Sequence, residues 1–128
     1  MANKYMLDSS AWIEYFLGSE SGARIKDIVE GDTTVTSILS IAEISDKFSR
    51  EKERFAKFLA FIKNVSSVVN ITILSCSESG RLKAERRKIK KKFSLADAII
   101  YLSAKENSCT LVTLDYDFDN MENVKVIE

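Results

Sequence analysis

Four short apolar or β-branched runs, "YML" (Tyr5–Leu7), "TTVTS" (Thr33–Ser37), "VVNITIL" (Val68–Leu74) and "TLVT" (Thr110–Thr113), are each separated from the next by segments with helical spacing. A fifth run, "VKVI", follows "TLVT" after ten residues. Strands separated by helices cannot pair as tight hairpins; they are joined by crossovers and lie parallel. The alternation predicts an α/β fold, a three-layer α/β/α sandwich around a central parallel sheet of four to five strands. In such a sheet, ligands gather at the carboxyl ends of the strands. The 128 residues fit one domain, residues 1–128, with no repeats and no linker-like segments.

Local signals set the expected elements. Asp8, Ser9 and Ser10 are N-cap residues behind the first strand, for a helix from about Ser10 to Leu17 that Gly18 stops. A second helix runs from about Ser21 to Glu30, and Ser37 caps a third, "ILSIAEISDKFS". From Glu51 to Val65, Phe55, Phe58, Leu59 and Ile62 recur at helical spacing. A further helix is expected from about Ser77 through "RLKAERRKIKKK", and another from Ser94, with Ala96, Ile99, Ile100 and Ser103 against the sheet.

The chain contains no histidine. Hydrolysis with imidazole as general base and His-ligated zinc or iron are thereby excluded. What remains for such chemistry is mainly carboxylate, a ligand that favours hard cations such as magnesium and manganese. Cys76 and Cys109 are far apart in apolar surroundings and are expected to be reduced core thiols. With no apolar stretch long enough for a membrane span and no signal-like start, the expected compartment is cytoplasmic, with no membrane partner. Net charge is zero, yet Arg81 to Lys92 holds eight basic residues against one acidic, a local +7 balanced by −7 elsewhere. Arg81, Lys83, Arg86, Arg87, Lys88, Lys90, Lys91 and Lys92 are candidates for contacts to the phosphates of a polyanion, and a solvated helix face explains them equally well.

Four acids fall where the predicted topology gathers ligands. Asp8 follows the first strand, Asp115 follows the fourth, Glu43 stands inside the apolar stretch "SILSIAEIS", and Asp97 lies in the first turn of the helix begun at Ser94. Each has an innocent reading: Asp8 as an N-cap, Asp97 as the third-position acid of a capping box, Asp115 as the start of a turn. All of these readings would have to coincide at one sheet edge for the cluster to be accidental. Past the fourth strand, "LDYDFDN" places Asp115, Asp117 and Asp119 at every second position, an arrangement that needs solvent, spacing or a cation. Clustered carboxylates repel a phosphodiester, so a site built from them needs a cation to accept one.

In order and spacing, "YMLDSSAWIEYFL", "SILSIAEI" and "FSLADAIIYLSAKENSCTLVTLDYDF" resemble the PIN-domain ribonucleases, and in size and detail the VapC-like toxins of type II toxin-antitoxin pairs. The resemblance covers nearly the whole chain and implies a PIN-like sheet and a Mg2+- or Mn2+-dependent endoribonuclease. It implies that Asp8, Glu43, Asp97 and Asp115 are the catalytic acids, with Asp8, Asp97 and Asp115 as metal ligands and Glu43 positioning or deprotonating water. Ser9 and Thr113 would orient carboxylates or waters. Asp117 would be an auxiliary ligand, and Asp119 a surface residue beside an inward-turned Phe118. Products with a 5'-phosphate and a 3'-hydroxyl, a homodimer, and a cognate antitoxin on an apolar groove near the Glu51 to Val65 helix are likewise implied. An RNA-processing or structural RNA-binding PIN subunit that is not a toxin stays open. A receiver-like signalling domain is disfavoured, because the third strand ends "TILSCSES" without the aspartate such a domain needs.

Overall fold

The computed structural model describes residues 3–128. Strands β1 (Lys4–Leu7), β2 (Thr33–Ser37), β3 (Ser67–Val69), β4 (Thr110–Thr113) and β5 (Val124–Val126) form one sheet in the order β3-β2-β1-β4-β5, and every neighbouring pair is parallel. Between them run helices α1 (Ser9–Leu17), α2 (Glu20–Gly31), α3 (Ile38–Lys47), α4 (Lys52–Val65), α5 (Ile73–Arg86) and α6 (Leu95–Glu106), and a 3₁₀ turn (Tyr116–Phe118) links β4 towards β5. The chain builds outwards from β1 through β2 to β3, then returns to place β4 on the other side of β1. The direction of winding therefore switches between β1 and β4, the place where open parallel sheets form a crevice.

Alternation along the strands divides the core between the two faces of the sheet. Leu7 and Val112 belong to the cluster formed with Ala11, Trp12, Ile25, Ile28, Ile44, Phe48 and Ile62, on the α1 to α4 side. Met6, Val35 and Leu111 point the other way, into a cluster with Phe93, Ala98, Ile100, Ala104, Cys109 and Phe118. The first cluster is rich in aromatic contacts. Trp12 is fully buried and stacks at 5.8 Å on Phe16, which in turn stacks at 3.8 Å on Phe58. The indole N–H of Trp12 donates to Thr36 Oγ1 at 3.1 Å, so its polar edge is satisfied inside the core.

Two glycines do different work near α1. Gly18 ends the helix at φ 69°, the left-handed conformation that a residue without Cβ adopts at little cost. Gly22 lets α2 press against α1, since a Cβ there would lie 2.3 Å from the Glu14 carbonyl oxygen.

Several boundaries differ from the sequence expectations. The run "VVNITIL" is not one strand from Val68 to Leu74: β3 stops at Val69, and α5 begins at Ile73 rather than near Ser77. Thr72 caps α5, accepting from the Ser75 N–H at 3.1 Å, and Ile73 and Leu74 are exposed rather than part of the sheet. The basic run is likewise divided, its first half ending α5 and Arg87 to Lys92 forming turns and loop. On α6 the fully buried positions are Ala98, Ile100, Ser103 and Ala104, with Ala96 and Ile99 only half-buried. Cys109 is a buried thiol as expected, but Cys76 is exposed, because the earlier start of α5 turns it to solvent.

Candidate metal centre

Asp8 enters the site as the N-cap of α1, where the chain leaves β1. Its Oδ1 accepts from the Ala11 N–H at 2.9 Å and from Ser10 Oγ at 2.6 Å, and its Oδ2 accepts from Thr113 Oγ1. Both carboxylate oxygens are therefore occupied by protein donors, and the residue is buried. Burial pushes its pKa up from 3.8 to about 6; the three hydrogen bonds oppose the rise, and the charge of Asp115 adds to it.

Two hydroxyls stitch the ends of β1 and β4 together. Besides bonding Asp8, Ser10 Oγ accepts from the Leu114 N–H at 3.0 Å, and Thr113 Oγ1 accepts from the Asp115 N–H at 3.0 Å. Thr113 thus links Asp8 to Asp115. Ser10 was read from the sequence only as a capping residue; its partner, the Leu114 amide, is more than a hundred positions away, and no local signal announces it. Ser9 points elsewhere, donating to Glu43 Oε1 at 3.3 Å. Glu43 itself is exposed on α3, not sunk in the helix packing. Crowding at its carboxyl end nevertheless raises its pKa through partial burial, with the charges of Asp8 and Asp97 adding and the Ser9 hydroxyl opposing.

Asp97 does two things at once. At the third position of α6, it completes a capping box: Oδ2 accepts from the Ser94 N–H at 2.9 Å, while its own N–H donates to Ser94 Oγ at 3.0 Å. The same carboxylate offers an oxygen to a cluster with Asp115 and Asp117, whose contributing oxygens all lie within 4.8 Å of one another. Partial burial raises the Asp97 pKa, the Ser94 bonds oppose the rise, and the charges of Asp115 and Asp117 add to it. Asp115 caps the 3₁₀ turn, its Oδ1 accepting from the Asp117 N–H at 2.8 Å. Asp117 reaches the cluster because the chain turns there, not because it stays extended as its spacing from Asp115 suggested. Phe118 points into the core, 5.4 Å from Phe93, and Asp119 is half-buried outside the cluster.

The donor set suits a hard divalent cation. Three like charges at this spacing repel by roughly 3 kcal/mol per pair at an effective dielectric near 20. All three donors are carboxylate oxygens, the ligand type magnesium and manganese favour, and a positive ion held by them would relieve their mutual repulsion. Asp97, Asp115 and the auxiliary candidate Asp117 converge here, while Asp8 lies behind them with its oxygens on Ser10, Ala11 and Thr113.

Among the basic residues, the structure commits two guanidinium groups to backbone. Arg86 donates from Nε to the Asp117 carbonyl at 3.0 Å and from Nη2 to the Asp119 carbonyl at 2.5 Å, and Arg87 donates from Nε to the Phe93 carbonyl at 2.7 Å. Lys88 pairs with Glu85 at 3.4 Å on the surface. Among the described residues, Arg81, Lys83, Lys90, Lys91 and Lys92 form no ion pair.

Comparison with known proteins assigns the fold to a family. A profile of the PIN domain matches residues 5–124. The chain belongs to the PIN domain family. Among solved structures, it is similar to VapBC2 from Rickettsia felis, bound to a promoter DNA fragment, at 19% identity and TM-score 0.76, covering 98% of this chain and 99% of that one. It is also similar to VapC20 of Mycobacterium tuberculosis, a sarcin-ricin loop cleaving toxin, at 17% identity and TM-score 0.74, covering 97% and 99%. VapBC-1 from nontypeable Haemophilus influenzae matches at 18% identity and TM-score 0.72, covering 98% and 97%. These likenesses make the fold that of VapC-type PIN proteins. No curated protein matches the sequence at a significant level. Among the described residues, no helix is long and apolar enough to cross a membrane.

Proposed function

We propose that this PIN domain is a Mg2+- or Mn2+-dependent endoribonuclease and the toxin of a toxin-antitoxin pair. The observation that carries the reading is the convergence of Asp97, Asp115 and Asp117 oxygens within 4.8 Å at the switch point of a parallel sheet. Asp97 and Asp115 hold the cation with Asp117, while the buried Asp8 carboxylate backs them with charge and fixes the β1 end to Thr113. When bound, the ion supplies charge neutralisation, Lewis acidity towards a phosphoryl oxygen and acidification of water. Glu43, oriented by Ser9, receives the proton of the attacking water, and its raised pKa makes it the better acceptor. The water oxygen bonds to phosphorus as the bond to the 3'-oxygen breaks, and a solvent water protonates that oxygen, leaving a 5'-phosphate and a 3'-hydroxyl.

Arg81, Lys83, Lys90, Lys91 and Lys92 supply the positive charge that the acidic site lacks, steering the RNA backbone towards it. Likeness to a toxin that cleaves the sarcin-ricin loop supports an RNA substrate, and likeness to VapBC proteins supports a cognate antitoxin partner; a homodimer and a cytoplasmic setting accompany this reading. The deciding test compares purified wild type and Asp97→Asn on RNA with Mg2+ or with chelator. Cleavage by the wild type that chelator and the substitution both abolish is the expected result; unchanged cleavage by Asp97→Asn overturns the assignment. Metal-dependent cleavage without growth arrest on expression transfers the protein to the RNA-processing reading.

A further inference from the structure

We propose that Arg86 is a positioning residue that sets the metal affinity of the acidic triad, an inference that rests on the metal-dependent reading above. The triad has two halves with different supports. Asp97 is fixed by its capping box on α6, whereas Asp115 and Asp117 sit on a three-residue 3₁₀ turn. A turn of that length has little stability of its own. Its start is held by Thr113 Oγ1, which accepts from the Asp115 N–H, and its body by the buried Phe118 ring and the half-buried Arg86 guanidinium, which bridges the Asp117 and Asp119 carbonyls. Arg86 is the last residue of α5, and α5 packs along α6. The helix pair that places Asp97 therefore also places the clamp on the other half of the triad.

The sign of the effect separates this role from a simple charge effect. A bare positive charge beside the cluster repels a divalent cation, so removing it alone would tighten cation binding. Removing a clamp has the opposite result, because Asp115 and Asp117 lose their fixed orientation towards Asp97 and cation binding weakens. Lysine keeps the charge but lacks the planar fork that spans two carbonyls.

The experiment measures Mn2+ binding by the metal-free protein, by calorimetry or by loss of the free-ion paramagnetic resonance signal, in wild type, Arg86→Met and Arg86→Lys. Apo melting curves and near-ultraviolet dichroism are recorded alongside, so that affinity is compared only where each variant is folded. Both variants are expected to bind Mn2+ about tenfold more weakly than wild type, the scale on which groups behind metal ligands act. Tighter binding by Arg86→Met with wild-type binding by Arg86→Lys overturns the proposal in favour of a charge effect. Unchanged Mn2+ affinity in both, with only the apo melting temperature lowered, reduces Arg86 to a structural contact. Unchanged Mn2+ affinity with a raised KM for RNA makes it a substrate contact instead. If Arg86→Met does not fold, Arg86→Lys alone decides between the clamp and the charge. Absence of Mn2+ binding by the wild type overturns the metal-dependent reading itself, and the clamp with it, an outcome distinct from equal binding by all three proteins.

Discussion

Two groups of carboxylates share one edge of the sheet and are built in opposite ways. At the β1 corner, Asp8 is buried with both oxygens taken by Ser10, Ala11 and Thr113. At the α6 and β4 corner, Asp97 and Asp115 each place one oxygen on a backbone N–H, and the half-buried side chains still converge with Asp117. The first arrangement joins the ends of two strands. The second is, in the function proposed above, the cradle for the cation.

The largest expected effect breaks the cradle. Asp115→Asn or Asp97→Asn should lower RNA cleavage about a hundredfold or more, at or above what loss of a group behind a metal ligand costs, as read in a metal-dependent assay. The same variants should lose the rise in melting temperature that Mg2+ gives the wild type, a gain of about 2.7 kcal/mol at a hundred times the dissociation constant. An intact Mg2+ shift in either variant would remove that residue from the cradle.

The joint should respond to pH instead. Because the folded-state pKa of Asp8 is raised to about 6, the folded protein holds this proton more tightly than the unfolded chain does. Its contribution to stability is therefore greatest below about pH 4, falls as pH rises through about 6, and stays low above that. Asp8→Asn keeps acceptor and donor atoms at that position without the charge. In chelator, it should melt higher than wild type at pH 7.5, by up to about 3 kcal/mol for two pK units, and the advantage should shrink at pH 4.5. Melting curves of both proteins across that range check this; a constant difference would mean that Asp8 carries no burial penalty.

Smaller changes test how the corners are held. Gly22→Ala drives a methyl group into the Glu14 carbonyl and should destabilise the α1 to α2 contact by about 1–3 kcal/mol, measured by chemical denaturation. Gly80→Ala, in the middle of α5 with nothing within 4 Å of the added carbon, should stabilise by about 0.5–1 kcal/mol and leave cleavage unchanged.

Much of this was legible in the chain because it depends on local signals. Asp8, Ser37 and Ser94 announce helix starts, and Gly18 announces a stop. Local signals mislead where they are ambiguous: "VVNITIL" is mostly β-branched, yet the Thr72 cap starts α5 at Ile73. Glu43 stands among apolar neighbours in the sequence, and only the packing of α3 shows that it faces out towards Ser9. Arg86 and Arg87 looked like part of a solvated basic face, since carbonyl partners such as those of Phe93, Asp117 and Asp119 leave no trace in side-chain pattern.

The order of strands and helices, the absence of imidazole chemistry and the supply of acids at strand ends follow from the sequence by itself, because periodicity, capping and composition act over a few residues. Tertiary structure alone decided which acid is buried with both oxygens taken and which acids converge. That distinction rests on burial and on hydrogen bonds between residues far apart in the chain, Ser10 to Leu114, Thr113 to Asp8 and Arg86 to Asp117, and such contacts exist only once the sheet has closed.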